Sequence, residues 1–237
     1  MQKDPHGNIT KWKNGDRFVF VKPFDPPIQR SQMIDDNPVI VIHHGKDNKP
    51  CLACNQIGHR VGSETCPALP TEKIYTFRGY QHPLSNHYQY NLYIWGEYFK
   101  TNEHAFFLKM AKDMGKDALA RRIQNAKHGG AAKALSKEIA NEATRNEWEL
   151  TEGIDIMTEL QFEKCKRCPE FLQCIYDYRE YLFAEATPSR IWATGMSEFV
   201  SQNTKPSFWI SQNLLGCILN DLAAMVDKIF DELNKPD

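Results

Sequence analysis

Glu103 and His104 stand at the start of a predicted helix, directly after an extended segment. A carboxylate in the first turn of such a helix commonly lies at the mouth of a cleft, where it can stabilise positive charge on a substrate or activate water. The helix dipole favours a Glu at this position in any protein, so Glu103 considered alone is more often structural. His104 is predicted either to hydrogen bond beside the carboxylate or to be a half-buried core histidine.

A second group of reactive residues is Cys51-x2-Cys54-x4-His59-x6-Cys66. Three thiolates and one imidazole within sixteen residues form a complete tetrahedral set for a structural zinc ion. The alternative is a loop with reduced cysteines. The spacing resembles that of the CCHC zinc knuckle, except that the last gap is six residues where four is usual in that family.

Zinc knuckles often bind single-stranded nucleic acid by seating bases on exposed side chains. In this chain the candidate platform residues are Leu52 and Ile57, which are not aromatic, and the neighbouring charges are of both signs. The sequence therefore leaves open whether this module binds single-stranded nucleic acid or a protein partner.

The composition is that of a globular protein of one ordinary domain plus a small module. The chain has 237 residues, of which 41% are hydrophobic and 25% charged, with a net charge of −1. Nucleic acid would therefore have to bind a local patch. No apolar run is long enough to cross a membrane. Seven cysteines without a disulfide-like spacing, and a polar first segment without a signal-peptide core, predict an intracellular protein of the cytoplasm or nucleus.

The elements that position these residues are predicted from periodicity and from Gly and Pro positions. Residues 1–50 are poorly defined, with short strands at 17–22 and 38–43, and the knuckle occupies 51–67. Residues 73–230 are predicted to form an α+β domain that is mostly helical with a few short strands. One helix begins at Thr101 or Asn102 and ends at Gly115, a single long helix covers 146–165, and the last helix covers about 213–233.

The larger domain resembles the NADAR (YbiA-like) family of N-glycosidases over residues 74–226. The resemblance rests on an ordered set of motifs: Leu84-Ser85-Asn86, Thr101-x-Glu103-His104, Ala132-Lys133, Trp148, Met157, Glu185-Ala186-Thr187-Pro188, Trp192 and Gln212-Asn213-Leu214-Leu215-Gly216. It implies a compact, mostly helical α+β fold and cleavage of N-glycosidic bonds with no cofactor. Substrate classes of the family include early riboflavin-pathway intermediates and ADP-ribose attached to guanine.

The resemblance implies that Glu103 is the catalytic carboxylate. It implies a substrate-binding group of Ser85, Asn86, His104, Trp148, Glu185, Trp192 and Asn213. The residues themselves leave alternatives open: Ser85 and Asn86 are also common turn residues, and either tryptophan is equally typical of a core.

Some members of the family are thought to trap the opened sugar as a Schiff base on a lysine seven residues after the Glu. In this chain that position is Met110, so Lys109 is predicted as the catalytic amine, with Lys133 as a second candidate. Phe107 stands where the family commonly has Gln, and Ser189 where it commonly has an acidic residue. Three such changes near one cleft indicate altered substrate choice or lost catalysis.

The leading hypothesis is an N-glycosidase that removes ADP-ribose from guanine in nucleic acid, with Glu103 as its essential carboxylate and a structural zinc ion in the knuckle. One rival is a catalytically weakened module that binds ADP-ribose or nucleic acid. Others are an N-glycosidase for riboflavin-pathway intermediates, and an inert body on which the knuckle alone carries the function.

Overall fold

The computed structural model describes residues 49–226 and three short N-terminal strands, β1 (Gln2–Lys3), β2 (Ile9–Asn14) and β3 (Arg17–Val19). These strands form an antiparallel sheet in the order β1-β2-β3. The strand predicted at 17–22 corresponds to β3 over residues 17–19, and residues 20–22 lie outside the described residues. The strand predicted at 38–43 lies outside the described residues.

The larger domain alternates short strands with helices. Its first part contains β4 (Ile74–Phe77), β5 (Leu92–Ile94), β6 (Glu97–Phe99), α1 (Asn102–Asp113), α2 (Asp117–Gln124) and α3 (Gly129–Ser136). Its second part contains α4 (Glu142–Leu150), α5 (Glu152–Arg167), α6 (Pro169–Asp177), β7 (Leu182–Glu185), α7 (Glu198–Gln202), a 3₁₀ turn (Pro206–Phe208) and α8 (Leu214–Ala223). This architecture confirms the predicted α+β, mostly helical fold.

Helix α1 begins and ends where the sequence predicts. Thr101 is its N-cap in an extended conformation, but the Thr101 hydroxyl bonds to the ring of His104 (2.8 Å) and not to a free backbone N–H. Gly115 follows the helix with φ of +68°, a left-handed conformation that only Gly adopts without strain. Nine of its twelve residues are buried, so α1 is a central helix of the core.

The prediction of one helix over residues 146–165 is wrong. The chain forms two helices, α4 and α5, because it turns at Thr151, whose ψ of −95° is not helical. The Thr151 hydroxyl donates to the carbonyl of Glu147 (2.8 Å) and so satisfies a group at the end of α4. A Cβ at Gly153 would lie 3.1 Å from the Trp148 carbonyl oxygen, so Gly allows α5 to turn back closely over α4.

The parallel strands β4 and β7 pair from Ile74 opposite Leu182 to Phe77 opposite Glu185, and helices pack around them. The carboxyl ends of parallel strands are where the chain leaves the sheet and where ligands commonly bind. Both strands lead at this end into the cleft described below. No helix among the described residues is long and apolar enough to cross a membrane. The predicted last helix corresponds to α8, and its part beyond residue 226 lies outside the described residues.

Candidate active site

A cleft of about 560 Å³ opens at the carboxyl ends of β4 and β7. Its walls come from the loop after β4, the first turns of α1, helices α3 and α4, and the loop after β7. The ionisable side chains that line it are His87, Glu103, Lys133, Glu142, Glu149, Glu185 and Arg190. Four carboxylates thus face two permanent cations, and the cleft is acidic.

Glu103 lies in the wall of this cleft and is only 7% exposed. Its backbone N–H donates to the Asn86 carbonyl (3.2 Å), which joins the start of α1 to the preceding loop. Its Oε1 lies 3.3 Å from Nε2 of His87 and 3.8 Å from Nζ of Lys133. The buried carboxylate therefore lies beside two nitrogen groups, and all three side chains line the cleft.

Gly129 allows the close approach that brings Lys133 to this carboxylate. A Cβ at Gly129 would lie 2.7 Å from Nδ1 of His87 and 3.1 Å from Oγ1 of Thr101, so a larger residue would push α3 away. Helix α3 begins at Gly129, and Lys133 follows one turn later on the same face. The sequence gives no sign of this contact except a Gly-Gly pair.

Lys133 is the cation at the centre of the acidic cleft. The Glu103 carboxylate raises the pKa of Lys133, and Glu185 and Glu149 add to the effect. About half of the side chain is exposed, so solvent weakens these attractions. The direction is nevertheless clear: Lys133 is an ammonium ion at neutral pH.

Burial disfavours the charged forms of two further carboxyls in the cleft. Burial raises the pKa of Glu185 to about 7, with Lys133 opposing and Glu103 adding to the shift. Burial also raises the pKa of Glu149, while a hydrogen bond from Nε1 of Trp192 (2.7 Å) opposes it. Glu185 can therefore hold a proton close to neutral pH.

Sequence reasoning did not single out Glu149 or His87. Glu142, Asn146 and Glu149 all line the cleft from α4, at the i, i+4, i+7 spacing of one helix face. The spacing of these three polar residues could have predicted a polar helix face at the cleft. It was missed because the predicted helix began at residue 146 and so left out Glu142. His87 directly follows the Leu84-Ser85-Asn86 motif and reaches Glu103 only through the fold.

The loop that contains Ser85 and Asn86 lines the cleft, and side chains of α5 hold it in place by hydrogen bonds. Nζ of Lys164 donates to the Ser85 carbonyl (2.7 Å), and Nε2 of Gln161 donates to Oδ1 of Asn86 (2.6 Å). Lys164 is fully buried. The distance from its Nζ to the ring centroid of Phe171 is 4.8 Å. Burial lowers the pKa of Lys164 to about 7.

Of the residues predicted to bind substrate, Ser85, Asn86, Glu185 and Trp192 line the cleft together with Glu103. His104 does not: it is fully buried, its ring bonds to Thr101 and to the Ala126 carbonyl, and burial lowers its pKa. Trp148 also lies outside, where its Nε1 donates to Asp113 (3.2 Å).

Asn213 lies behind the cleft. Its Oδ1 accepts from the backbone N–H of Glu185 (3.0 Å), and its Nδ2 donates to the Phe183 carbonyl (2.9 Å). It therefore holds the end of β7, and with it the Glu185 backbone, against the start of α8. Its link to the site is through Glu185.

Lys109, the predicted catalytic amine, does not line the cleft. Its ammonium is paired with Asp113 one turn further along α1. Met110 is fully buried in the core, whereas Phe107 lies in the cleft wall. Ser189 also lines the cleft, and its hydroxyl accepts from the Trp192 N–H (3.2 Å). Of the two candidate lysines, the geometry places Lys133 beside Glu103.

The four residues of the predicted knuckle come together in the fold. The ligand atoms of Cys51, Cys54, His59 and Cys66 all lie within 4.8 Å of one another. The two closest pairs are Cys54 Sγ with His59 Nε2 (3.1 Å) and Cys51 Sγ with Cys66 Sγ (3.8 Å). This cluster could hold a metal ion and is compatible with a small metal-binding module.

This module packs against the larger domain. Val61 contacts both the cysteine cluster and the small apolar cluster that contains Val200 and Trp209. The backbone N–H of Lys205 donates to the Ala68 carbonyl (2.7 Å). Leu52 and Ile57, the proposed platform residues, are 73% and 61% exposed, so they remain accessible to a partner.

Comparison with known proteins assigns the larger domain to a family. The NADAR domain family model matches residues 75–226, well over half of the chain, and the chain belongs to this family. A comparison with curated proteins finds no match. The solution structure of the Escherichia coli protein YbiA is similar, with a TM-score of 0.52 and 16% identity over 73% of this chain and 95% of that one. That similarity confirms the YbiA-like fold, and family membership supports an N-glycosidase type of activity.

Proposed function

We propose that this protein is an N-glycosidase that removes ADP-ribose from guanine in nucleic acid. The observation that carries the proposal is the environment of Glu103. Its buried carboxylate is paired with Lys133 and His87 in a cleft that holds two further carboxyls with raised pKa values. Two classes of carboxyl in one cleft are what glycosidic bond cleavage requires.

The reaction breaks the bond between C1 of the ribose and a nitrogen of the base. As that bond lengthens, positive charge develops on C1 and on the ring oxygen. Glu103, kept close to Lys133 and His87, supplies the negative charge that stabilises this centre. Water then adds its oxygen to C1, and the proton it loses passes to a carboxylate of the cleft.

The departing base must receive a proton on the nitrogen that leaves the sugar. Glu185 and Glu149 are the candidates, because each has a raised pKa and lines the same cleft as Glu103. Cleavage of a glycosidic bond commonly divides two carboxyl groups into a charge stabiliser and an acid. We assign Glu103 to the first role and Glu185 to the second.

Lys133 acts in this scheme as a charge partner. A Schiff base would need a neutral amine, and the nearby carboxylates keep the Lys133 ammonium charged. Its positive charge offsets part of the repulsion between Glu103 and a phosphate-bearing substrate. Lys109 remains a prediction as an amine, although its pairing with Asp113 disfavours it.

We further propose that the cluster of Cys51, Cys54, His59 and Cys66 holds a zinc ion. Three thiolates and one imidazole are the donors that structural zinc prefers. The seven cysteines are all free thiols, which supports an intracellular location. A metal module with exposed apolar residues suits delivery to a nucleic-acid or protein partner better than action on a small riboflavin-pathway intermediate.

A binding module without turnover is the second candidate. Its support is Met110, which is fully buried where some relatives have the amine, and Phe107, which is apolar in the cleft wall. Such a module would hold ADP-ribose without breaking the bond.

The test is incubation of the purified protein with guanine-ADP-ribosylated DNA, followed by chromatography for free ADP-ribose. Wild type is compared with Glu103→Gln, and Glu152→Gln serves as the matched control. Glu152 also lies in the first turn of a helix, α5, but it is exposed and outside the cleft.

Release by wild type and Glu152→Gln, with a loss of about a thousandfold in Glu103→Gln, supports the N-glycosidase. No release by any of the three, with ADP-ribose binding still measurable, favours the binding module. Equal release by Glu103→Gln and wild type would contradict the role of the carboxylate.

A further inference from the structure

Arg190 is a cation of the cleft for which the described residues provide no partner. It lines the cleft and is exposed, and its guanidinium makes no ion pair or hydrogen bond within the part of the chain that the structure describes. The other permanent cation of the cleft, Lys133, is already beside Glu103. The Arg190 guanidinium therefore remains available to bind an anionic group of a substrate.

The backbone on both sides of Arg190 is held in place. The Ser189 hydroxyl accepts from the Trp192 N–H (3.2 Å), which closes a tight turn around Arg190. The Ile191 carbonyl accepts from the N–H of Leu214 at the start of α8 (3.1 Å). Ile191 and Trp192 are themselves buried, so the turn is anchored and its guanidinium is left to face the cleft.

The charges of the cleft are therefore divided. Glu103, Glu149 and Glu185 all interact electrostatically with Lys133 at one part of the cleft. That part suits a ribose whose C1 becomes positive, and it repels phosphate. Arg190 lies beyond the end of β7, on the loop that forms the rim. A guanidinium presents parallel N–H donors that match a phosphate group.

We propose that Arg190 is the phosphate-binding residue of the cleft and selects substrates whose ribosyl group carries a phosphate ester, as the diphosphate of ADP-ribose does. This inference rests on the proposed function for the identity of the ribosyl group. It does not require turnover, because binding of free ADP-ribose already tests it. The phosphate could also belong to a nucleic-acid backbone, and the experiment separates these two sources.

The experiment measures binding by isothermal titration calorimetry with three probes: ADP-ribose, adenosine and a short single-stranded DNA. Wild type is compared with Arg190→Gln, Arg190→Lys and the control Arg121→Gln. Arg121 is an exposed arginine of α2 outside the cleft, so its replacement changes the net charge equally.

We expect Arg190→Gln to weaken ADP-ribose binding about ten- to hundredfold and to leave adenosine binding unchanged. Arg190→Lys should recover part of the loss, since it keeps the charge without the paired donors. Arg121→Gln should bind ADP-ribose as wild type does. A larger loss for DNA than for ADP-ribose would place a backbone phosphate at Arg190 and overturn the assignment to the diphosphate.

Equal binding of ADP-ribose by Arg190→Gln and wild type would overturn the proposal, as would an equal loss with adenosine or no binding of ADP-ribose by wild type. Failure of the proposed function is recognised separately. If wild type binds ADP-ribose in an Arg190-dependent way but releases none from DNA, the phosphate site stands and the glycosidase does not.

Discussion

The metal cluster and the acidic cleft are both built from ionisable side chains, but they are assembled over different distances along the chain. The four residues that could hold a metal ion lie between Cys51 and Cys66, whereas the cleft combines residues from His87 to Arg190. The cluster needs only local turns to form. The cleft needs two parallel strands and three helices to be packed correctly first, so its electrostatics depend on the whole domain.

The two regions also differ in how they neutralise buried charge. Thiolates that lie close together are stable when a cation binds between them. The carboxyls of the cleft are instead balanced by Lys133, and burial raises the pKa values of Glu149 and Glu185. Removal of metal and a change of pH should therefore affect the two regions separately.

The largest expected effect is on the cluster. Chelation should unfold residues 51–66, since binding of structural zinc contributes about 10 kcal/mol to the folding of such modules. The larger domain should keep its melting temperature to within a few degrees, because its core is separate. Thiol labelling with mass spectrometry checks this, with Cys51, Cys54 and Cys66 expected to become reactive.

Cys174→Ser is the control for this measurement, because Cys174 is a free thiol outside the cluster. It should lose metal no faster than wild type does. Full metal retention by a Cys54→Ser variant would contradict the role of Cys54 as a ligand. Collapse of the larger domain on chelation would show that the two regions are not independent.

The next effect concerns Lys164 behind the cleft. Burial lowers its pKa to about 7 in the folded protein, whereas an exposed lysine of the unfolded chain has a pKa of about 10.4. Between these two pH values the unfolded chain therefore binds more protons than the folded protein does. Stability from this group should therefore rise with pH across that window. Lys164→Met should remove the rise, a difference on the order of 3 kcal/mol between pH 6.5 and 9.5 in urea unfolding.

The exposed Lys137 offers a matched substitution, Lys137→Met, which should keep the slope of wild type. If the stability of Lys164→Met rises with pH as steeply as that of wild type, Lys164 is charged throughout and the burial argument is wrong.

A smaller effect is expected at Lys133. Lys133→Gln should lower kcat/KM for the ADP-ribosylated substrate about a hundredfold, because Glu103 would lose the ammonium that faces it. Lys109→Gln should change it little, because that side chain pairs with Asp113. Steady-state kinetics on both variants decides between the two lysines, and the reverse ranking would restore Lys109 as the functional amine.

The smallest effect is a change in the pH profile. If Glu185 donates the proton, kcat/KM should fall as pH rises through about 7, because the protonated form is lost there. Glu185→Gln should be slower and should lack this limb between pH 5.5 and 8.5. Glu142→Gln, another carboxyl of the cleft wall, should retain it. If kcat/KM of Glu185→Gln still falls as pH rises through about 7, Glu185 is not the acid and Glu149 becomes the candidate.

Much of the fold could be predicted from the sequence, because its signals are local. Helix α1 between Thr101 and Gly115 was confirmed, since caps and periodicity act within a few residues. The break at Thr151 was missed because α4 and α5 continue one helical pattern, and only the packing of Gly153 on Trp148 shows why the chain turns there.

The sequence by itself predicted which Cys and His residues come together as a cluster that could hold a metal ion, and it placed Glu103 in the family motif, because spacing and motif order carry that information. Only the tertiary structure decided which lysine approaches Glu103 and that His104 and Trp148 belong to the core. It also showed that Arg190 lines the cleft without a partner among the residues that the structure describes. The physical reason is distance along the chain. A pairing such as Lys133 with Glu103 depends on helix packing through Gly129, and no local pattern in the sequence encodes it.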